Sequence, residues 1–389
     1  MNTNQKAVIT LIKSALTQQP QQLPEDFTLQ QILPLVKMHH IAPMAYEGAV
    51  ICGIDPQGPI MAELFRGYCR ALQVSERQMR DLGRVLAAFQ TNGIDHMPLK
   101  GCKMKALYPK PELRLMGDAD VLIRLEQYDR ILPIMQQLGF AAHHESDHEL
   151  VWRTDGLYLE LHKRLIPSYN KDFHAYFGAG WQLAKPEEGT RYSMSANDEM
   201  VFLFTHFAKH YRDGGIGCRH VADLWVYCNA HPELDEAYIE EKLSPLHLLE
   251  FYRHIRRLMA VWFEDTAGDE RMDFITDFIF DSGSWGNKAS RLQSRTVRDS
   301  KHNVLRFSSK LVYLWKTAFP SCVVLREKYT ILKRCPWMLP LVWLWRPVYK
   351  VLFERHSLQV QKQNVQVLSK ENVQTRQQAL QYVGLDYNF

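Results

Sequence analysis

Two acidic residues, Asp118 and Asp120, have the spacing best suited to chemistry in this sequence. They follow Gly117 and open an apolar, strand-favouring run that continues to Ile123. Because residues i and i+2 point to the same face of a strand, the two carboxylates would project together. Carboxylates held side by side favour a cation between them, and Mg²⁺ prefers carboxylate oxygens together with substrate phosphates. The spacing predicts a metal platform for phosphate chemistry, with a solvated strand start as the plainer alternative.

A short apolar strand and a lysine-glycine turn precede the aspartates. Gly101 would allow a tight turn, and residues 102–108 have the pattern of a helix. Backbone N–H groups at the start of a helix favour anions, and Lys100, Lys103 and Lys105 add positive charge beside the turn. We expect Lys100 to contact a phosphate and Lys105 to be an ordinary surface lysine, with both interpretations open for Lys103.

A third carboxylate, Glu160, lies in the second strand of a predicted hairpin over residues 149–162. The dipeptide Asp155-Gly156 between two strand-favouring runs is a strong signal for a type I′ turn. Alternate leucines of the second strand fall on one face, so Glu160 and His162 fall on the other. Glu160 can reach the aspartates if its strand lies beside theirs; a solvent-facing polar stripe is the alternative. His162 would orient Glu160, contact substrate or serve only in packing.

Several short motifs over residues 97–162 together resemble the uncharacterised nucleotidyltransferase-like family of the polymerase-beta superfold. They are Leu99-Lys100-Gly101, Tyr108-Pro109, Arg114, Gly117-Asp118-Ala119-Asp120-Val121-Leu122 and Leu159-Glu160-Leu161-His162. In that superfold an Asp-x-Asp strand supplies two metal ligands and a neighbouring strand supplies a third carboxylate. The superfold usually has Gly-Ser at the turn, where this chain has Gly101-Cys102, and the gap from Gly101 to Asp118 is longer than usual.

The resemblance implies an α+β fold: a polymerase-beta-like core, built as a mixed sheet with flanking helices, plus helical N- and C-terminal lobes. It implies transfer of a nucleoside monophosphate from an NTP, with ATP the first choice, to an unknown hydroxyl acceptor through two Mg²⁺ ions, or Mn²⁺. Catalytic and metal-binding roles would fall to Asp118, Asp120 and Glu160. Nucleotide-binding roles would fall to Lys100, Gly101, Lys103, Arg114 and His162. Arginine suits bidentate phosphate contact, and pairing of Arg114 with Glu112 is the alternative.

The composition is that of a globular protein. The chain has 389 residues, of which 46% are hydrophobic, so it can bury a large core. Its seven cysteines contain no Cys-x-x-Cys pair, which argues against a disulfide framework or a zinc ribbon. The polar start has no signal-peptide pattern, so we expect a cytoplasmic protein, with peripheral membrane attachment as an alternative.

Four regions are expected along the chain. They are a helical N-terminal region over 1–93, the nucleotidyltransferase core over 94–190, a helical C-terminal lobe over 191–353 and a Gln-rich tail over 354–389. Within the lobe, residues 301–353 carry ten Lys or Arg and one acid, a local net charge of +9 that leaves −5 for the rest of the chain. This asymmetry indicates an anionic partner, either nucleic acid or a membrane surface. Packing of the aromatic residues into the lobe is the alternative.

Two other function classes remain open from the sequence. The first is a non-catalytic relative that binds a nucleotide or a partner protein, which nucleotide binding without pyrophosphate release would identify. The second is a nucleic-acid or membrane-surface protein that acts through residues 301–353. Steep salt dependence would identify binding to a phosphate backbone.

Overall fold

The computed structural model describes most of the chain, and the structural statements below concern that part. It comprises residues 1–168, 170–284, 286, 289–294, 315, 317–325, 329, 331–353 and 367–385. The described residues form two compact units. The first contains the described residues of 1–209 and 216–284 together with residues 383–385; the second contains residues 210–215 and the described residues of 286–382. The expected helical N-terminal region and nucleotidyltransferase core both lie in the first unit.

Seven strands of the described chain form one mixed sheet in the order β3-β4-β5-β2-β1-β7-β6. The strands are β1 His96–Leu99, β2 Ala119–Ile123, β3 Ala141–Glu145, β4 Glu149–Arg153, β5 Tyr158–His162, β6 Lys185–Glu188 and β7 Arg191–Ser193. In the middle of the sheet, β2 pairs antiparallel with β1 and parallel with β5. The α+β expectation, with a mixed sheet and flanking helices, is therefore confirmed.

Helices precede, flank and follow the sheet. The helices of the first unit are α1 Thr3–Thr17, α2 Leu29–Met38, α3 Ala42–Ile51, α4 Pro59–Thr91, α5 Gly101–Leu107, α6 Tyr128–Gln137, α7 Lys171–Phe177, α8 Ala196–Asp213 (whose last turn belongs to the second unit), α9 Cys218–Ala230, α10 Glu236–Leu243, α11 Leu249–Phe263 and α12 Glu270–Ser282. The second unit has α13 Cys322–Leu325, α14 Ile331–Arg334, α15 Leu339–Phe353 and α16 Lys370–Tyr382. Single 3₁₀ turns occur at Pro111–Leu113, Leu125–Gln127, Trp181–Leu183 and Pro336–Met338. Within these residues, no helix combines the length and apolar character needed to cross a bilayer.

One face of the sheet is apolar and packs against α4 and α6. The buried residues of this core include Val85 and Phe89 of α4, Ile131 of α6, Val121 of β2 and Leu159 of β5, all with 0% exposure. Burial of each such side chain contributes about 1.5–3 kcal/mol. The alternation of strands therefore leaves Asp120 and Glu160 on the opposite face, away from these helices.

Local chemistry explains where the elements agree with the sequence and where they do not. An apolar stripe over residues 61–92, followed by Gly93, predicts a long helix. The structure has it as α4, which begins at Pro59 and ends before Gly93 in the left-handed region. Pro133 predicts a kink or a break near Ile131, and α6 continues through both residues without a break.

The hairpin predicted over 149–162 is present as β4 and β5, but the turn between them is not the predicted type I′ turn. A type I′ turn needs positive φ at both central residues, and neither Asp155 nor Gly156 has it. Gly156 is required instead for close approach, because a Cβ there would lie 2.5 Å from Oδ2 of Asp81. Strands β3 and β6 lacked a sequence signal because all of their side chains are exposed and show no alternation.

The basic segment over 301–353 falls partly outside the described residues. Its first described residue is Trp315, so the lysines and arginines at its start, such as Lys301 and Arg306, are beyond the structural account. The anionic partner expected for this segment stays a prediction.

Candidate active site

The parallel pairing of β2 and β5 brings two acidic side chains together. Asp120 lies directly beside Glu160, and Leu122 beside His162. The carboxylate oxygens of Asp120 and Glu160 and a ring nitrogen of His162 all lie within 4.8 Å of one another. Asp120 and His162 are buried, while the side chain of Glu160 keeps 21% of its exposure. The strand of Glu160 therefore lies beside the strand of Asp120, which is the arrangement that the predicted metal site needs.

The carboxylate of Asp120 accepts from two nitrogen donors. Nζ of Lys100 and Nε2 of His162 both donate to its Oδ1, at 2.9 and 2.8 Å. Burial alone would raise the pKa of Asp120, but the charge of Lys100 and the hydrogen bond from His162 hold that pKa well below its usual range. Burial opposes the charge of His162 too, yet its hydrogen bonds to Asp120 and Glu160 raise its pKa. Nε2 of His162 lies 2.8 Å from Oδ1 of Asp120 and 3.4 Å from Oε2 of Glu160.

Asp118 differs from Asp120 although it is only two residues away. It lies just before β2 and its side chain is exposed to solvent. Partial loss of water contact, followed by the charges of Asp120 and Glu160, raises the pKa of Asp118 to about 6. The possible ligand atoms that lie within 4.8 Å of one another belong to Asp120, Glu160 and His162, and not to Asp118. Of the three predicted acids, Asp120 and Glu160 are therefore paired, and Asp118 lies beside them, exposed to solvent.

The turn before the aspartates is strained at Lys100 and not at Gly101. Lys100 has φ +42° and ψ −114°, a conformation that non-glycine residues rarely adopt and that costs about 1–3 kcal/mol. Gly101 is needed for packing instead: a Cβ there would lie 3.0 Å from Nη1 of Arg114 and 3.2 Å from Sδ of Met116. The expectation that Gly101 makes the tight turn is therefore wrong, because the left-handed residue is the lysine whose side chain reaches Asp120.

Arg114 belongs to a second buried ion pair. Its Nε and Nη2 donate to the two carboxylate oxygens of Asp223 in α9, at 2.8 and 2.9 Å, and the hydroxyl of Tyr108 donates to Oδ1 of Asp223 at 2.7 Å. Despite burial, Asp223 raises the pKa of Arg114, and Arg114 with Arg219 lowers that of Asp223. In this conformation Arg114 is committed to a carboxylate and holds the loop before β2 against α9. Its sequence alternative, Glu112, accepts from Tyr68 instead.

The remaining lysines of the turn have partners of their own. Lys103 forms an ion pair with Glu199 of α8 and keeps 29% of its side-chain exposure. Lys105 is buried and donates to the carbonyl of Arg114 at 2.8 Å, and burial lowers its pKa to about 8. The expectation of a surface lysine at 105 is wrong, because Lys105 lies on the buried side of α5.

Cys102 follows Gly101 at the start of α5. Its thiol is buried and donates to the carbonyl of Asp120 at 3.4 Å, and burial raises its pKa to about 12. The side chain is therefore a neutral packing group that supports β2.

Sequence reasoning did not connect Glu199 with Lys103 or Asp223 with Arg114. Glu199 and Asp223 lie 96 and 109 residues beyond their partners, and no local spacing marks them. The sequence signal near Asp223 was Arg219, four residues earlier on the same helix, which predicts a pair between the two. Arg219 donates to the carbonyl of Leu115, and its charge also lowers the pKa of Asp223.

Comparisons with known proteins give one family. A family model described as an uncharacterised nucleotidyltransferase matches residues 25–264, more than half of the chain. The matched range includes the Asp120–Glu160 pair, the Lys100 turn and the Arg114–Asp223 ion pair. No significant match is found among curated proteins. None is found among solved structures.

Proposed function

This chain belongs to the uncharacterised nucleotidyltransferase family, and we propose that it moves a nucleoside monophosphate from an NTP, with ATP the first choice, to a hydroxyl acceptor. The acceptor oxygen forms a bond to the α-phosphorus, the bond to the bridging oxygen breaks, and pyrophosphate leaves. The observation that carries the proposal is the pairing of Asp120 with Glu160 on adjacent parallel strands, on the sheet face opposite the apolar core.

The acids fit a hard divalent cation. Three carboxylates, Asp118, Asp120 and Glu160, stand against two local cations, Lys100 and His162, so the described cluster retains an excess of negative charge. We assign these three acids to hold two Mg²⁺ or Mn²⁺ ions in a polymerase-beta-like core. Such ions, when bound, neutralise triphosphate charge and make an acceptor hydroxyl easier to deprotonate.

The chain's own residues then have separate tasks. Lys100 and Lys103 supply positive charge for the phosphates. Lys100 contacts Asp120, and Lys103 lies on α5 with a partly exposed side chain. Arg114 and Gly101 pack against each other and fix the strained turn that carries Lys100. His162 orients Asp120 and Glu160 through its Nε2 hydrogen bonds, and Glu160 accepts the proton of the acceptor hydroxyl.

A direct assay tests this proposal without knowledge of the acceptor. Each of the four NTPs, labelled at the α-phosphate, is incubated with Mg²⁺ and an extract of nucleic acids, sugars and proteins, and pyrophosphate and labelled products are measured. The native chain should form both, and Asp120→Asn and Glu160→Gln should form about 10²- to 10³-fold less. Asp129→Asn, at an exposed site of α6, is the matched control and should keep native activity. Equal product from Asp120→Asn and native protein would refute the assigned site.

One observation favours a second candidate, a non-catalytic nucleotide-binding relative. Lys100 and His162 already neutralise Asp120, as a cation would. Under this alternative the native chain binds NTP but forms no pyrophosphate, and chelation of divalent ions leaves the binding unchanged. The proposed enzyme should instead lose NTP affinity when divalent ions are removed.

A further inference from the structure

Exposed apolar side chains are concentrated in one short stretch of the second unit. Among the described residues, seven of the fifteen large hydrophobic side chains that remain exposed lie within residues 315–345. They are Trp315, Phe319, Ile331, Trp337, Leu341, Leu344 and Trp345. Trp337 and Leu344 have the largest exposed fractions, 74% and 72%. Single apolar residues are ordinary on a protein surface, but a group of them on one face marks an interaction site.

Four of these side chains follow one face of α15 and of the 3₁₀ turn before it. This apolar stripe consists of Trp337, Leu341, Leu344 and Trp345, at positions i, i+4, i+7 and i+8. Helical spacing of this kind gives a single apolar face. The other side of α15 packs inward, because Val342 is buried in a cluster with Leu325 and Leu332. The helix therefore has one side fixed by a small core and one side of apolar groups exposed to water.

Packing accounts for one of the three neighbouring tryptophans. The indole N–H of Trp343 donates to the carbonyl of Pro320 at 2.9 Å, and the ring of Phe319 meets its ring edge to face at 5.3 Å. Trp337 and Trp345 are exposed instead. Packing of the aromatic residues, the alternative expected from the sequence, therefore describes Trp343 and leaves two exposed rings without an explanation.

The same stretch is strongly basic. Between Glu327 and Glu354 the sequence has five Lys or Arg and no acid, a net charge of +5. Of these five, Arg334 is exposed and lies three residues before Trp337. Anionic lipid headgroups attract such segments over about a Debye length. The charge therefore favours an anionic partner and disfavours a second copy of this chain, whose matching face would carry the same charge.

Aliphatic side chains distinguish a lipid surface from other anions. Nucleic acid offers phosphates to cations and bases to aromatic rings, but it gives no partner to exposed leucines such as Leu341 and Leu344. A bilayer interface accommodates all three kinds of side chain, since Lys and Arg meet the headgroups, Trp lies at their level and Leu enters the acyl boundary. With 15 residues, α15 is about 22 Å long, short of the roughly 30 Å hydrocarbon core. Its length and its one apolar face fit a position in the plane of the interface.

We propose that α15 and the turn before it dock the chain on a membrane surface that contains anionic phospholipid. The apolar stripe enters the interface, and the basic residues around it are attracted to the headgroups. The proposal does not depend on nucleotidyl transfer, because no residue of the acidic site on β2 and β5 takes part in it.

Vesicle flotation of the full chain tests this proposal. Vesicles of phosphatidylcholine are compared, across a salt series, with vesicles in which about a third of the lipid is phosphatidylserine. The native chain should float with the anionic vesicles, leave them as the salt concentration rises, and bind the neutral vesicles at least about tenfold more weakly. Trp337→Ser/Leu344→Ser should lower binding to the anionic vesicles at least about tenfold, because two apolar groups stay in water.

Two further double variants make the result decisive. Leu341→Ser/Trp345→Ser changes the rest of the apolar stripe and should show the same loss. Phe65→Ser/Leu125→Ser is the matched control: it removes an aromatic ring and a leucine, 48% and 52% exposed, from the first unit and should float like the native chain.

Three results would overturn the proposal. The native chain could stay off the anionic vesicles, it could bind both kinds of vesicle equally, or the matched control could lose as much binding as the stripe variants. Binding of single-stranded RNA, or self-association in sedimentation, is measured on the same proteins. Loss of either in the stripe variants, with no flotation of the native chain, would assign the surface to nucleic acid or to a second copy instead.

Discussion

Two clusters of charged side chains in the first unit use similar residues in opposite ways. The acidic cluster consists of Asp118, Asp120 and Glu160 with Lys100 and His162, and the arginine–aspartate cluster is centred on Arg114 and Asp223. In the arginine–aspartate cluster, both oxygens of Asp223 accept from Arg114 and one also accepts from Tyr108, and both side chains of the ion pair are at most 15% exposed. In the acidic cluster, acids outnumber cations, and Asp118 faces solvent with a raised pKa.

The difference separates a structural ion pair from a site. A closed pair satisfies its charges internally, so a change there is felt as lost stability. An open cluster keeps acids that repel one another, which lowers stability unless a cation is supplied. Variants at the two clusters should therefore have opposite signatures, and the predictions below test that contrast.

The largest effect is expected at the arginine–aspartate cluster. Asp223→Asn leaves Arg114 buried without its counter-charge, next to Arg219, and should lower the free energy of unfolding by about 3–5 kcal/mol. Urea unfolding followed by circular dichroism measures this, with Asp129→Asn as the control. A loss below 1 kcal/mol would show that the pair is not needed to hold the loop before β2.

The opposite signature is expected for Asp118→Asn. Catalysis should fall by about 10²- to 10³-fold, because the proposed function makes Asp118 a ligand of the divalent ions. The midpoint of thermal unfolding in EDTA should not fall, since the substitution removes a carboxylate that Asp120 and Glu160 repel. Pyrophosphate release and a thermal melt on one preparation give both values, and a large drop in the melting midpoint would contradict the contrast.

His39, a buried histidine outside both clusters, shows the effect of burial on a pKa in the absence of an ion pair. His39 is fully buried between the carbonyl of Phe280 and the N–H of Cys218, and burial lowers its pKa from 6.5 to about 4. Because the folded state favours the neutral ring, its contribution is present above pH 6.5 and is lost as the pH falls toward 4, by roughly 3 kcal/mol in all. The slope of unfolding free energy against pH in this window should be shallower in His39→Gln by about 1.4 kcal/mol per pH unit. Equal slopes would show that His39 is not buried as a neutral group.

The smallest effect on stability is expected for alanine substitutions at two glycines. Gly101→Ala puts a Cβ against Arg114 and Met116 and should cost about 1–3 kcal/mol, with a raised KM for NTP because the Lys100 turn shifts. Gly83→Ala, in the exposed middle of α4 with no atom within 4 Å of the new Cβ, should stabilise by about 1 kcal/mol. Denaturation of both variants shows the sign directly. The same sign at both positions would contradict the packing role given to Gly101.

The sequence was sufficient for the parts of the site that depend on short-range periodicity. The strand alternation put Asp120 on the face opposite Val121, and the leucines of β5 put Glu160 on the face opposite the core. The long helix α4 followed from its apolar stripe and from Gly93 at its end.

Interactions between distant residues could not be found in this way. The partners of Lys103 and Arg114 come from helices about one hundred residues later, and nothing in the local pattern selects Glu199 or Asp223 over other acids. The burial of Lys105 and the exposed strand β3 depend on how the elements assemble. Those features are set by packing, which one sequence does not record.

The most direct test of the account is Mn²⁺ binding, measured by electron paramagnetic resonance in the presence of a non-hydrolysable ATP analogue. The native chain should bind Mn²⁺ and nucleotide together, Asp120→Asn and Glu160→Gln should weaken Mn²⁺ binding at least tenfold, and Asp223→Asn that remains folded should bind like the native chain. Native-like Mn²⁺ affinity in Asp120→Asn and Glu160→Gln would contradict the claim that these paired acids form the metal site of a nucleotidyltransferase.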